Sequence, residues 1–204
     1  MDISSNNLDN VEKDPEMDLS SQYHDTSPYH ARNMVGALLP ESEKVFGCLD
    51  SGLSLEEIHE MALHGTLFTQ RALLSRKRFW SMLQSRYFKL PAWALDELVE
   101  AYRCGPHSRE FISLLYVHYA LSDRFTFDFI TRDLWKKWSL QQVWVSSDDI
   151  LKILDDHAES EPQIKTWTEA TRVKLAGIIL SSLRDFGVLE GKMKKKLVKP
   201  VLPL

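Results

Sequence analysis

Helix start and stop signals recur at short intervals through the middle of this chain, and they confine it to short helices with short connections. Ser54 and Glu57 have capping-box spacing, in which each side chain satisfies an amide of the first turn. Leu55, Ile58 and Ala62 follow as a buried stripe, and Gly65 supplies a stop. The periodicity predicts a second helix from Phe68 to Tyr87, ended before Pro91, and a third over 92–103 closed by Gly105 and Pro106. Ser108 is placed to cap 109–122, with Phe111, Leu114, Leu115 and Tyr119 apolar. Thr126 is placed to cap 127–138, with Phe127, Ile130 and Leu134 inward. A short helix over 34–49, carrying Val35, Leu38, Leu39, Val45 and Phe46, precedes them all. Such a series is expected to fold as a mainly α, compact helical bundle over residues 34–144.

The ends of the chain differ in charge. The first 50 residues hold 10 acidic and 3 basic side chains, whereas residues from 161 onward hold 4 acidic and 9 basic. The net charge of -4 therefore conceals a basic C-terminal region. Residues 1–33 are rich in Ser, Asn, Asp and Glu and lack apolar periodicity, so they are expected to form a disordered acidic leader. That leader is either a solvated tail or a competitor of nucleic acid for a basic face. Cys48 and Cys104 form no CxxC pair, which favours two reduced cysteines over a zinc or redox motif. No N-terminal stretch joins positive charge to an apolar run, and no apolar stretch approaches about 20 residues. The expectation is a cytoplasmic protein with no membrane span.

After Trp144 the pattern changes. Ser146 or Ser147 caps a helix through Ala158, and a polar loop with Pro162 follows. Trp167 and Thr168 open a last helix over 168–186, stopped by Gly187. Val188 and Leu189 look extended, Glu190-Gly191 makes a turn, and residues 192–203 alternate loosely. Helix, loop, helix and a short β-hairpin is the order of a winged helix-turn-helix, expected over 145–204. On the last helix Val173, Leu175, Ala176, Ile179, Leu180, Leu183 and Phe186 fall on one apolar arc. The opposite stripe is Ala170, Lys174, Gly177, Ser181 and Arg184, small residues flanked by cations. That stripe suits a helix docked on DNA phosphates first, close packing on another helix second, and plain solvent exposure third.

The candidate DNA-binding residues are Arg172, Lys174 and Arg184 on this helix and Lys192, Lys194, Lys195, Lys196 and Lys199 on the hairpin. Five lysines within eight residues repel one another, and either an anionic partner relieves that repulsion or the run is a frayed, soluble tail. Neutralising Lys194, Lys195 and Lys196 together is expected to flatten the salt dependence of DNA binding. Few side chains here suit bidentate base reading, so any DNA binding is expected to be backbone-led and weakly sequence-specific. A second basic cluster, Arg71, Arg76, Lys77 and Arg78, adds Arg76, Lys77 and Arg78 to the DNA-binding candidates, on a surface expected to continue the C-terminal patch; the adjacent Phe79 and Trp80 are better read as core anchors than as base-stacking platforms.

No set of residues assembles into a catalytic site. His59 and His64 are five apart, whereas the zinc-protease motif needs four. His118 lies in an apolar helix and reads as a core histidine. Asp148-Asp149 and Asp155-Asp156 point about 100° apart on a helix, as solvated or helix-start charge does. The phosphate-cradling, dinucleotide and nucleophile-elbow motifs are missing, so no enzyme activity, cofactor, catalytic residue, metal ligand or small-molecule substrate is expected.

The run NMVGALLPESEKVF from residue 33, with SGLSLEEIHEMALHGTLFTQRALLSRKRFWSMLQSRYFKLP at 51–91, resembles the BrxA family. These are small accessory subunits of BREX bacteriophage-exclusion systems. LLYVHYALSDRFTFDFITRDLW at 114–135, TWTEATRVKLAGIILSSLRDFGVLEG at 166–191 and the closing Lys-Pro-Val-Leu-Pro extend the likeness to roughly residues 34–203. The resemblance implies a fold related to antitermination factors of the NusB type, double-stranded DNA binding, and a place beside other BREX subunits in phage defence. It carries no short motif that assigns individual residues. A protein-binding scaffold subunit without direct DNA contact is the alternative, and an RNA-binding antitermination-like factor is a third reading that rests on fold analogy alone.

Overall fold

The structure, a computed structural model, describes residues 24–31, 34–70, 72–192 and 194–198. Residues 1–23, most of the expected leader, lie outside them. The first helix, α1 (Leu39–Asp50), starts five residues later than the periodicity predicts. Gly36 and Leu38 both adopt left-handed backbone angles, which a helix cannot include, and Pro40 then occupies the first turn. α2 (Leu55–His64) has the predicted cap: the Ser54 amide donates to Glu57 Oε2 at 2.8 Å and the Glu57 amide to Ser54 Oγ at 3.3 Å. Gly65 ends it with φ 82°.

α3 (Leu73–Leu83) also starts late and widens into a π-helical turn at Gln84–Phe88. The loop ahead of it is held by Arg76, whose guanidinium donates to the carbonyls of Leu63 (2.8 Å) and Gln70 (3.0 Å). α4 (Ala92–Arg103) and α5 (Arg109–Leu121) match the reading, and Ser108 accepts from the Phe111 amide at 3.2 Å. The next cap is a correction. Asp123, not Thr126, caps α6 (Arg124–Asp128), accepting from the Thr126 amide at 2.9 Å, while Thr126 is fully buried. α6 passes through a π-helical segment, Phe129–Leu134, into α7 (Trp135–Ser139). These helices enclose one core with Phe46, Ile58, Leu83, Leu98, Phe111, Leu115 and Phe129 at its centre.

Residues 24–31, expected within the leader, pack on this body. Tyr29 is 2% exposed, its hydroxyl donates to Asp128 at 2.7 Å, and its amide donates to Glu161 at 3.2 Å. The Asp25 amide donates to the Leu121 carbonyl at 2.8 Å. A single aromatic anchor with polar ties has no periodicity, which is why the pattern does not reveal it.

The C-terminal elements run β1 (Trp144–Val145), α8 (Ser147–His157), a 3₁₀ turn (Pro162–Thr166), α9 (Glu169–Asp185), β2 (Leu189–Glu190) and β3 (Lys195–Leu197). The sheet order is β1-β3-β2, antiparallel throughout, so the expected two-stranded hairpin gains a third strand. Gly191, with φ 101°, opens the β2–β3 connection, where a Cβ would stand 2.5 Å from the Lys194 carbonyl oxygen. Among the described residues no helix is long and apolar enough to cross a membrane.

Candidate nucleic-acid interface

α9 begins with Thr168, whose hydroxyl accepts from the Thr171 amide at 3.2 Å. Leu175, Ala176, Ile179, Leu180, Leu183 and Phe186 are buried, as the projection requires. Val173 is the exception at 45% exposure, because burial on its side of the helix begins only at Ala176. The opposite stripe divides in two. Ala170, Lys174 and Gly177 are exposed, and a Cβ on Gly177 would meet nothing within 4 Å. Ser181 instead faces a groove that it shares with Ile178, residues 34–36, and Ser75, Arg78 and Phe79 of α3. The fold therefore brings Arg78 of the bundle alongside the last helix.

The candidate cations separate by what their side chains touch. Arg76 is committed to backbone carbonyls. Arg172 ties α9 to α8 through an ion pair with Asp155 and a 3.4 Å contact to the Leu151 carbonyl. Lys195 points inward, is 7% exposed and donates to the Lys192 carbonyl at 2.6 Å. Burial, with the Arg184 charge nearby, holds its ammonium below the usual lysine range. Arg184 is exposed but pairs with Asp185 at 2.8 Å. Lys196 is exposed, with Glu190 at 3.8 Å. Lys77, Arg78, Lys174, Lys192 and Lys194 are exposed and form no ion pair among the described residues. Arg71 and Lys199 lie outside the described residues.

Two other surface features stand beside the hairpin. An apolar cavity of about 300 Å³ is lined by Tyr116, Ile130, Leu134, Trp135, Trp138, Val188, Leu197 and Val198. Trp135 is 66% exposed at its wall, and Leu140 and Trp144 are 56% and 58% exposed. Elsewhere the expected core reading holds for Trp80, which is buried and stacks on His59 at 5.2 Å. His64 instead meets Glu60 at 3.1 Å, so the two histidines point to different partners. His118 is largely buried, and burial lowers its pKa to about 4. Among the described residues no cluster of three or more His, Cys, Asp or Glu could hold a metal ion.

The BrxA family model matches residues 28–204. The chain belongs to the BrxA family. It is thereby a BREX-associated protein. The match begins one residue before Tyr29, so the BrxA-like region includes that buried anchor as well as the body from Met34. A crystal structure of an uncharacterized protein from Magnetospirillum magneticum has a similar fold, with a TM-score of 0.65 and 20% identity over 86% of this chain and 88% of that one. No curated protein matches the sequence.

Sequence reasoning missed β1 and with it the pairing of Trp144 with Lys196. A two-residue strand carries too little alternation to be seen. It also missed Lys137, which pairs with Asp149 at 2.8 Å and reaches the Trp144 carbonyl at 3.4 Å.

Proposed function

We propose that this BrxA-family chain is a non-enzymatic, cytoplasmic, double-stranded DNA-binding accessory protein of a BREX system. The observation that carries this reading is the set of unpaired cations on and beside α9: Lys174 next to the open Gly177, Lys192 and Lys194 at the hairpin, and Arg78 across the groove from Ser181. The order strand, helix, helix, strand, strand, with β1 beside β3, supports treating residues 145–204 as a winged helix with α9 as its DNA-facing helix. Open backbone at Gly177 lets a phosphate come close, and lysines act as point charges on phosphate without reading bases. Asp185 and Glu190 stand among these cations, so affinity is expected to be modest and strongly salt-dependent.

The test is a mobility shift on unrelated duplexes across a salt series. Similar affinities for all sequences with a steep salt slope are expected; undetectable binding at low salt would sink the reading.

The second reading, a scaffold that binds other BREX subunits, is favoured by the apolar cavity and by the exposed Trp135 at its wall. Its discriminator is co-purification that survives nuclease and high salt and is lost on Trp135→Ala.

A further inference from the structure

We propose that the outer face of the C-terminal sheet carries a stacking site for one unpaired base of single-stranded DNA, with Trp144 as the platform and Lys196 as the phosphate contact. This rests on the DNA-binding reading above and extends it to a ligand that is part duplex and part single strand.

Trp144 and Lys196 are directly opposite in the β1–β3 ladder, and Lys196 is opposite Glu190 in the β2–β3 ladder. Opposed residues share a face, so the indole and the ammonium start from neighbouring positions. The other face is spent on the core: Val145 is 1% exposed and Lys195 7%. Trp144 is left 58% exposed. An exposed indole offers a flat apolar face with a polar edge, which suits an interface, and the chemistry around it says what fits.

The neighbours on this face are charged. Lys196 holds the position opposite Trp144, and its acidic neighbour Glu190 stands 3.8 Å away, a loose pairing between exposed side chains. Lys194 is exposed two residues earlier on the same segment. The Lys137 ammonium, paired with Asp149 at 2.8 Å, also approaches the Trp144 backbone carbonyl at 3.4 Å. An exposed indole opposite Lys196 in the ladder, with Lys194 exposed two residues earlier, fits a ligand that is flat and anionic at once, and a nucleotide is both. An aromatic anchor for protein is usually set in a packed, water-excluding surround. Trp135 lines the apolar cavity, whereas Trp144 does not and has charged residues opposite and beside it in the sheet. Within the duplex the faces of the bases are already stacked, so an unpaired base is required. Every base has such a face, so the site needs no sequence preference. Lys194, two residues before Lys196, also belongs to the proposed duplex surface, which places the unpaired base at the edge of a bound duplex.

The experiment measures affinity of the full chain for a blunt duplex and for the same duplex with a short thymidine overhang on either strand, over a salt series. The wild type is expected to favour an overhang by about fivefold or more, the lower end of what stacking one base on an aromatic ring is worth. Trp144→Ala should bring the overhang-to-blunt ratio to about one, and Trp144→Phe should keep most of it. Lys196→Gln should lower the ratio at low salt and leave the salt-insensitive part. Equal wild-type binding to blunt and overhang DNA overturns this proposal and leaves the duplex reading standing; no binding to either overturns both. An unchanged ratio in a folded Trp144→Ala variant also overturns it. So does loss of a BREX subunit from that variant with the DNA ratio intact, which would make Trp144 a protein contact. Thermal melting of each variant separates these outcomes from misfolding.

Discussion

Two basic clusters, Arg76-Lys77-Arg78 on α3 and Lys192 to Lys196 in the β2–β3 hairpin, look alike along the chain and are used differently. In the first, Arg76 reaches across the end of α2, touching the space beside Gly65 and holding two backbone carbonyls. The aromatics that follow go to the core: Trp80 is 4% exposed and Phe79 packs against the buried cluster. Only the second and third cations face outward. In the hairpin the alternation of a strand turns Lys195 inward and leaves Lys194 and Lys196 outside. The lesson is that a run of cations is sorted by the periodicity of its element and by which carbonyls nearby lack donors. Three consecutive cations on a helix point in three directions, while those on a strand divide between two faces.

Changes to each cluster can break or sharpen this contrast. The largest effect is expected from Lys192, Lys194 and Lys196 changed together to Ala. That variant should lose roughly 10²-fold in duplex affinity at low salt and have a log–log salt slope shallower by about 3, with its melting unchanged. An unaltered slope would remove the hairpin from the DNA surface. Lys195 is left out of this set because its ammonium is turned inward.

Next, Arg76→Ala should cost about 2 kcal/mol of stability in urea unfolding, because the Leu63 and Gln70 carbonyls lose a charged donor. Its salt slope should match the wild type. A stable variant with weakened DNA binding would reverse the role assigned to Arg76. A smaller effect is expected from Arg78→Ala: a salt slope shallower by about 1, and stability within about 0.5 kcal/mol of wild type. Loss of stability without change of slope would make Arg78 a groove-packing residue only.

The smallest effect concerns Lys195. Its folded pKa is held below the ordinary lysine value, chiefly by burial. The unfolded chain therefore keeps this proton to higher pH than the folded one. Stability rises as pH climbs from the depressed value toward the ordinary one. Lys195→Met retains the stem and should abolish that alkaline rise, measured as the difference between wild-type and variant unfolding curves at neutral and alkaline pH. An identical rise in both would show that the ammonium is effectively in water.

Much of the fold is legible where one helix face is apolar and its ends carry caps. α4, α5 and α9 and the Ser54 and Ser108 caps follow from spacing alone, since both the stripe and the cap are local. The starts of α1 and α3 are not, because they depend on left-handed angles at Gly36 and Leu38 and on a guanidinium arriving from Arg76. The packed segment 24–31 is hidden for the same reason: Tyr29 is held by Asp128 and Glu161, which are 99 and 132 residues away. Of the candidate site, the small stripe of α9 and the exposed lysines could be read in advance. The commitment of Arg172 to Asp155 and the groove that Arg78 shares with Ser181 could not.

By itself the sequence determined that this is a mainly helical chain with a basic C-terminal end, and that it carries the family pattern over residues 28–204. Those properties reside in composition, periodicity and local caps, which act within a few turns. Only the tertiary structure decided which cations remain exposed, that a third strand sets Trp144 against Lys196, and that the bundle contributes Arg78 to the last helix. Each of these depends on which unsatisfied donor, acceptor or apolar surface is brought near from a distant part of the chain. That juxtaposition is a property of packing and not of any single segment.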